Sequence, residues 1–359
     1  MRQNDNDAET ERHALRTLAG VMLKPHSACN CRCIMCDIWK KNSHPQQLDE
    51  ADIRDLLISL KRLETRFVLM TGGEPLMHPA FFRLCGILRA EGIRIALLST
   101  GLLVERHAQQ IVDHTDGLIL SIDGSENIHD EIRRVPGAFR KLREGVRAVR
   151  NLDAGFRITG NCVIQRANFA DWPNIVPAAH ELGLDQIGFT TADVLPTSFG
   201  RSGERREPSI EDLVIGKNDL VSFQSVIEQV IATFADDFDR RYISDPPDRL
   251  RRFYDYFASF HGLADLPPVR CNIPWVFAAI EADGAIRPCQ IQNPIGNIKE
   301  TPLHEALNSP LALSFRRNLD TTKDPLCRQC VCSKMYNASM FHIANRWTGP
   351  LPEKNVRHG

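Results

Sequence analysis

Between residues 19 and 195, short apolar runs alternate with longer stretches whose apolar positions recur every three or four residues. The runs at 21–24, 66–70, 93–98, 117–122, 157–164 and 186–190 read as strands, and the periodic stretches at 48–63, 78–91, 103–113, 137–151 and 171–182 read as helices. HPAFFRLCGILRAE, 78–91, carries the clearest i, i+3, i+4 stripe. A strand–helix unit repeating every 25–35 residues predicts an α/β fold with a parallel sheet. Six units fall short of a full eight-unit barrel, so the expected architecture is a partial (β/α)6 TIM-like barrel. The same pattern equally permits an open sheet.

The alternation stops at 192–220, where Pro, Gly, Ser and Arg dominate and the chain reads as a loop or cover. Arg201, Arg205 and Arg206 in it suit an anionic or hydroxylated ligand, against the plainer reading of a solvated surface loop. Helical periods return at 217–238 and 247–261. In IEADGAIRPC, Asp283–Gly284 predicts a hairpin turn. The expected organisation is a disordered 1–18, a core at 19–225, a helical linker at 226–265, a small C-terminal domain of hairpin plus helix at 266–340 and a loose tail at 341–359.

The 359 residues are 43% hydrophobic and 25% charged, a globular composition. A net charge of −1 gives no support to nucleic-acid binding, which needs a basic excess. The polar N-terminus is no signal peptide, and no apolar run is long enough to span a bilayer. A cytoplasmic address is expected, where thiols stay reduced.

The eleven cysteines are an odd number and cluster toward the two ends, which argues for metal rather than disulfides. Cys29, Cys33 and Cys36 form C-x3-C-x2-C directly after the first strand, with Cys31 the odd one out. Three thiolates suit three irons of a [4Fe–4S] cubane and leave the fourth iron open, whereas a cluster held wholly by protein takes four cysteines. C-x2-C is also a zinc half-site, and that reading stays open. Cys271, Cys289, Cys327 and Cys330 supply four ligands for a second site, with Cys332 as an alternate to Cys330. Cys85 and Cys162 read as core thiols.

CNCRCIMC resembles the cluster loop of radical S-adenosylmethionine (radical SAM) enzymes. TGGEP (Thr71–Pro75), STG (Ser99–Gly101), SIDG (Ser121–Gly124), HDEIRRVPGAF (His129–Phe139) and GNCVIQRAN (Gly160–Asn168) follow in that family's order, each near the C-terminal end of an expected strand, where sites collect. The C-terminal cysteines resemble the SPASM/Twitch-type auxiliary-cluster domain, in its shorter single-cluster form. The resemblance implies S-adenosylmethionine, a [4Fe–4S] cluster that binds it and one auxiliary [4Fe–4S] cluster. It implies cofactor contacts at Gly72, Gly73, Glu74, Pro75, Ser99, Thr100, Ser121, Asp123 and either Arg133 or Arg134, the last two through a forked bond to the cofactor carboxylate. Glu74 equally suits a helix cap, and either arginine a solvated helix face.

The implied chemistry is reductive cleavage of S-adenosylmethionine, a 5′-deoxyadenosyl radical and hydrogen abstraction, fed by a flavodoxin- or ferredoxin-type donor. The net outcome is oxidation, epimerisation or decarboxylation. Cys31 is a candidate hydrogen-atom donor for an epimerase. Eighteen polar N-terminal residues are too few for a leader-binding domain. That favours a small-molecule substrate, sugar, aminocyclitol or nucleoside-like. A ribosomal peptide, served by a separate leader-binding protein, is the alternative within the class. A zinc-bound interaction protein is the alternative outside it.

Overall fold

The computed structural model describes residues 13–196, 198–201, 209, 211–333 and 335–336. Its strands are β1 (Gly20–His26), β2 (Phe67–Gly72), β3 (Arg94–Ser99), β4 (Gly117–Ser121), β5 (Ile158–Ile164), β6 (Gln186–Thr191), β7 (Phe277–Ile280), β8 (Ala285–Arg287) and β9 (Gly296–Asn297). They form one sheet in the order β6-β5-β4-β3-β2-β1-β7-β8-β9. The first six run parallel in chain order. The connecting helices are α1 (Glu50–Arg62), α2 (Phe81–Arg89), α3 (Ala108–His114), α4 (Glu126–Arg133), α5 (Ala138–Leu152) and α6 (Trp172–Glu181). This is the expected α/β arrangement, compatible with a partial barrel, because β1 takes β7 rather than β6 as its second neighbour.

Alternation along each strand separates two faces. Val21, Leu23, Val68 and Met70 are buried on the helix-covered side, whereas Met22, Lys24 and Leu69 turn to the concave side. Register aligns Met22 with Leu69, Leu69 with Ala96, and Leu98 with Ile119. The C-terminal ends of the parallel strands therefore lie side by side. Helix starts follow local chemistry: Asp49 and Asp52 form a reciprocal capping box at α1.

Two expectations need correction, and one is borne out in a different setting. Residues 13–18 are packed rather than loose: Leu18 is buried, its amide donating to Leu63 O, and Asn308 brackets Leu15. Two leucines in a polar segment suffice to bury an edge that composition alone reads as disordered. The expected C-terminal hairpin forms, β7–β8 antiparallel around Gly284 at φ +92°, and β7 joins it to the main sheet by pairing parallel to β1. The stretch 192–220, expected as a loop or cover, sends Val194, Leu213, Val214 and Ile215 into the core. Beyond it the expected helices form, and Phe223 on α7 (Leu220–Thr233) and Phe253 on α8 (Pro247–Ser259) stack on the buried Trp172. No helix among the described residues is long and apolar enough to cross a membrane.

Candidate active site

The first cysteine loop leaves β1 and is tied down on three sides by main-chain bonds. Arg32 N and Ile34 N donate to Arg133 O and Ile132 O at 3.2 and 3.0 Å, joining the loop to the end of α4. Glu74 N donates to Ala28 O at 2.8 Å, joining it to the end of β2. The Asn42 side chain brackets Cys29, and Trp39 Nε1 donates to Cys36 O at 2.9 Å. Cys31 is buried in the same cradle, its thiol hydrogen-bonded with the Cys29 and Cys33 sulfurs. Those bonds, and burial, push the Cys31 thiol up. The Cys31 bond, with help from the Arg133 charge, draws Cys33 down to about 7 despite its burial. Burial raises Cys36 to about 12.

The glycine motif does a specific mechanical job. A Cβ on Gly73 would stand 2.0 Å from Ala28 O, and Gly72 sits at φ +126° with His26 O 2.8 Å from its own missing Cβ. Gly73 thus permits close approach to the cysteine loop's backbone, and Gly72 to the end of β1 from which that loop departs. Glu74 is wholly buried. Its carboxylate accepts from Thr100 N at 2.7 Å, from the Ser99 hydroxyl at 3.1 Å and from Leu76 N at 3.1 Å. The Thr100 hydroxyl lies 2.7 Å from Glu74 and 3.0 Å from Asn30 Oδ1. Burial raises the Glu74 carboxyl, against the pull of those donors. Glu74 therefore caps the short 3-10 turn that Pro75 begins and also ties β2 to β3.

The two arginines separate. Arg133 is buried, with Nη2 at 2.5 Å from Asp123 Oδ2 and Nη1 at 3.6 Å from Cys33 Sγ. Burial works against its charge, but Asp123, Cys33 and Cys31 outweigh that and hold it protonated. Arg134 is exposed and ends α4 in the left-handed region at φ 53°, so it is not brought to the site. Asp123 spends its other oxygen on Val163 N at 2.9 Å. Ser121 ends β4 half-buried, in register with Asn161.

The C-terminal thiols meet around a single cavity of about 450 Å³. Cys271, Cys289, Cys327, Cys330 and Cys332 all line it, together with Met22, Leu69 and Ile119 from the concave face of the sheet. Gln292 Nε2 lies 3.6 Å from Cys327 Sγ and Gln290 Nε2 3.0 Å from Cys332 Sγ. Cys330 and Cys332 hydrogen-bond to each other, so both candidates for the last ligand stand at one place. Among the described residues no three Cys, His, Asp or Glu side chains close on a single ion; the thiols surround a space instead.

Comparison with known proteins agrees with both halves of this geometry. The radical SAM superfamily profile matches residues 23–176, and the SPASM iron–sulfur cluster-binding domain matches 271–331. The chain belongs to the radical SAM superfamily. It is 25% identical to the AdoMet-dependent heme synthase of Methanosarcina barkeri over 51% of its own length and 52% of that protein. It is 23% identical to the sporulation killing factor maturation protein SkfB of Bacillus subtilis, over 80% of this chain and 64% of that one. The chain therefore spans about half to two thirds of the length of these curated relatives. In structure it resembles SuiB of Streptococcus suis bound to its precursor peptide SuiA, with a TM-score of 0.62, 15% identity and coverage of 92% and 76% of the two chains.

For a radical SAM enzyme with a SPASM domain the implied cofactors are S-adenosylmethionine, its [4Fe–4S] cluster and auxiliary iron–sulfur. The residues fit them: the first loop offers three spaced thiols beside a buried cation, and the C-terminal thiols enclose a shared space. Sequence reading missed two buried groups here, His129 and Gln165, and took Arg201 for a ligand contact of an open loop. His129 Nδ1 accepts from Asp123 N at 3.1 Å, while burial and Arg133 hold the ring neutral. Gln165, at the end of β5, is buried with both amide atoms unpartnered. Arg201 is buried too, whereas Arg205 and Arg206 lie outside the described residues. Both missed groups lie in stretches the sequence had set apart, His129 in HDEIRRVPGAF and Gln165 in GNCVIQRAN, without being singled out.

Proposed function

We propose that this radical SAM enzyme carries out a net oxidation on a substrate held at the concave face of the sheet, between the two cysteine sites. The observation that carries the reading is the shared cavity, where the C-terminal thiols stand against Met22, Leu69 and Ile119. When bound, the cluster and S-adenosylmethionine supply an electron and the 5′-deoxyadenosyl radical that removes a hydrogen atom. Cys29, Cys33 and Cys36 hold that cluster. Arg133 offers its forked cation to the cofactor carboxylate, and Asp123 fixes the fork. The second cysteine set would hold an auxiliary cluster, which would supply an acceptor for the electron left after abstraction. Epimerisation, which returns a hydrogen atom to the substrate radical, has less use for an acceptor there.

The lining also bears on substrate class. Met22, Phe67, Leu69, Ile119, Phe277 and Ile291 face the space, and sugars or aminocyclitols are held by polar walls instead. An apolar side chain presented by a peptide suits this lining, and the likeness to SkfB and to peptide-bound SuiB points the same way. A tetrapyrrole is the second reading, favoured by the match to a heme synthase. The test is anaerobic turnover with reductant and S-adenosylmethionine on three deuterated probes: peptides with labelled Leu, Val and Phe, a propionate-bearing porphyrin, and an aminocyclitol. Deuterium from the peptides in 5′-deoxyadenosine is the expected result. Transfer from the aminocyclitol alone would overturn the substrate class, and no 5′-deoxyadenosine from iron-replete protein would overturn the enzyme reading.

A further inference from the structure

The segment that follows β6 is bonded far more tightly than its loop-like composition suggests. The Arg201 side chain is 3% exposed. Its Nη2 donates to Asp193 O at 2.6 Å and to Met35 O at 2.9 Å; its Nη1 donates to Leu195 O at 2.8 Å and stands 3.4 Å from Asp193 Oδ1. Met35 lies between Cys33 and Cys36 in the first cysteine loop. The contact is reinforced on both sides. Asp37 N donates to Phe199 O at 2.9 Å, and Cys36 Sγ is 3.7 Å from the same oxygen. A Cβ on Gly200, at φ +80°, would stand 2.8 Å from Ile38 N. Phe199 itself is held at φ 51°, a conformation a bulky residue keeps only where its surroundings enforce it. At the other end Asp193 continues directly from β6, where the Tyr256 hydroxyl donates to Ala192 O at 3.0 Å.

We propose that Arg201 is a positioning residue: it clamps the first cysteine loop to the end of β6 and the segment that follows it. The proposal rests on the radical SAM reading of that loop. Arg suits the position because one planar fork reaches three carbonyls from two segments at once. A Lys keeps the charge but cannot span them.

Arg201→Met and Arg201→Lys test this in the full chain, reconstituted anaerobically. The readouts are iron per chain, the EPR of the reduced protein with and without S-adenosylmethionine, and far-UV circular dichroism. In the wild type the cofactor should shift the EPR of the first cluster; failure there sinks the radical SAM reading, not the clamp. Given that shift, R201M should lose at least half of the first-cluster signal and most of the cofactor-induced change. R201K should lose less, with circular dichroism intact in both. Wild-type iron and cofactor response in R201M overturns the proposal. So does an R201K protein that loses both clusters together with its circular dichroism, since that reveals only a folding role.

Discussion

The two cysteine sites are built in opposite ways. The first is made by backbone: its loop is bonded to α4 and to β2, Gly73 lets the strand end touch it, and one buried ion pair stands behind it. The second is made by side chains that reach a common cavity from a loop, a hairpin and the helix Pro325–Arg328. A backbone-built site is rigid and therefore suited to a fixed chelate geometry. A side-chain site drawn from distant segments takes its form from whatever fills it. Substitutions should accordingly disturb the first through its supports and the second through its ligands.

The widest separation is expected from the thiols themselves. Cys33→Ala should abolish 5′-deoxyadenosine formation, a fall of roughly a thousandfold or more on the scale of lost essential groups. Cys289→Ala should remove the auxiliary iron yet leave cofactor cleavage measurable. Equal loss in both variants would erase the distinction between the sites. Next in size is the ion pair. Arg133→Met strands the buried Asp123 charge and should cost about 3–5 kcal/mol in denaturant unfolding, whereas the exposed Arg134→Met should stay within about 0.5 kcal/mol. Similar losses from the two would show that burial does not distinguish them.

The same contrast explains what was legible in the sequence. The six parallel strands were, because apolar runs bounded by turn residues survive any tertiary context, and the C-x3-C-x2-C loop was, because its spacing is local. Which arginine turns inward was not, since α4 ends at Arg134 in the left-handed region and no periodicity reports that ending. Nor was the bonding of Glu74 to Thr100, or the burial of Arg201, since both depend on partners brought close only by the fold. The pairing of β7 with β1 joins residues about 250 apart and leaves no pattern in either strand.

The supports of the first site can be probed more gently. Gly73→Ala drives a methyl into Ala28 O, and the loop must yield, at about 1–3 kcal/mol. Gly86→Ala, in α2 with nothing within 4 Å of the new methyl, should stabilise by about 0.5–1 kcal/mol. Opposite signs in thermal unfolding are expected, and a neutral Gly73→Ala would mean that the strand end need not touch the cysteine loop.

The smallest effect concerns pH. Burial and the Arg133 charge hold His129 neutral well below the usual imidazole range. The unfolded chain then binds a proton that the folded chain refuses, so stability falls as pH drops below the ordinary value of about 6.5. One such group contributes a slope of at most about 1.4 kcal/mol per pH unit. His26 and His78 are depressed as well, chiefly by burial, so the wild type should lose stability more steeply than one histidine allows. His129→Asn keeps an acceptor for Asp123 N and removes the titration. Its denaturant-unfolding curve between pH 7 and 5 should be shallower than that of the wild type, and parallel curves would mean that His129 takes up its proton in the folded state despite the guanidinium beside it.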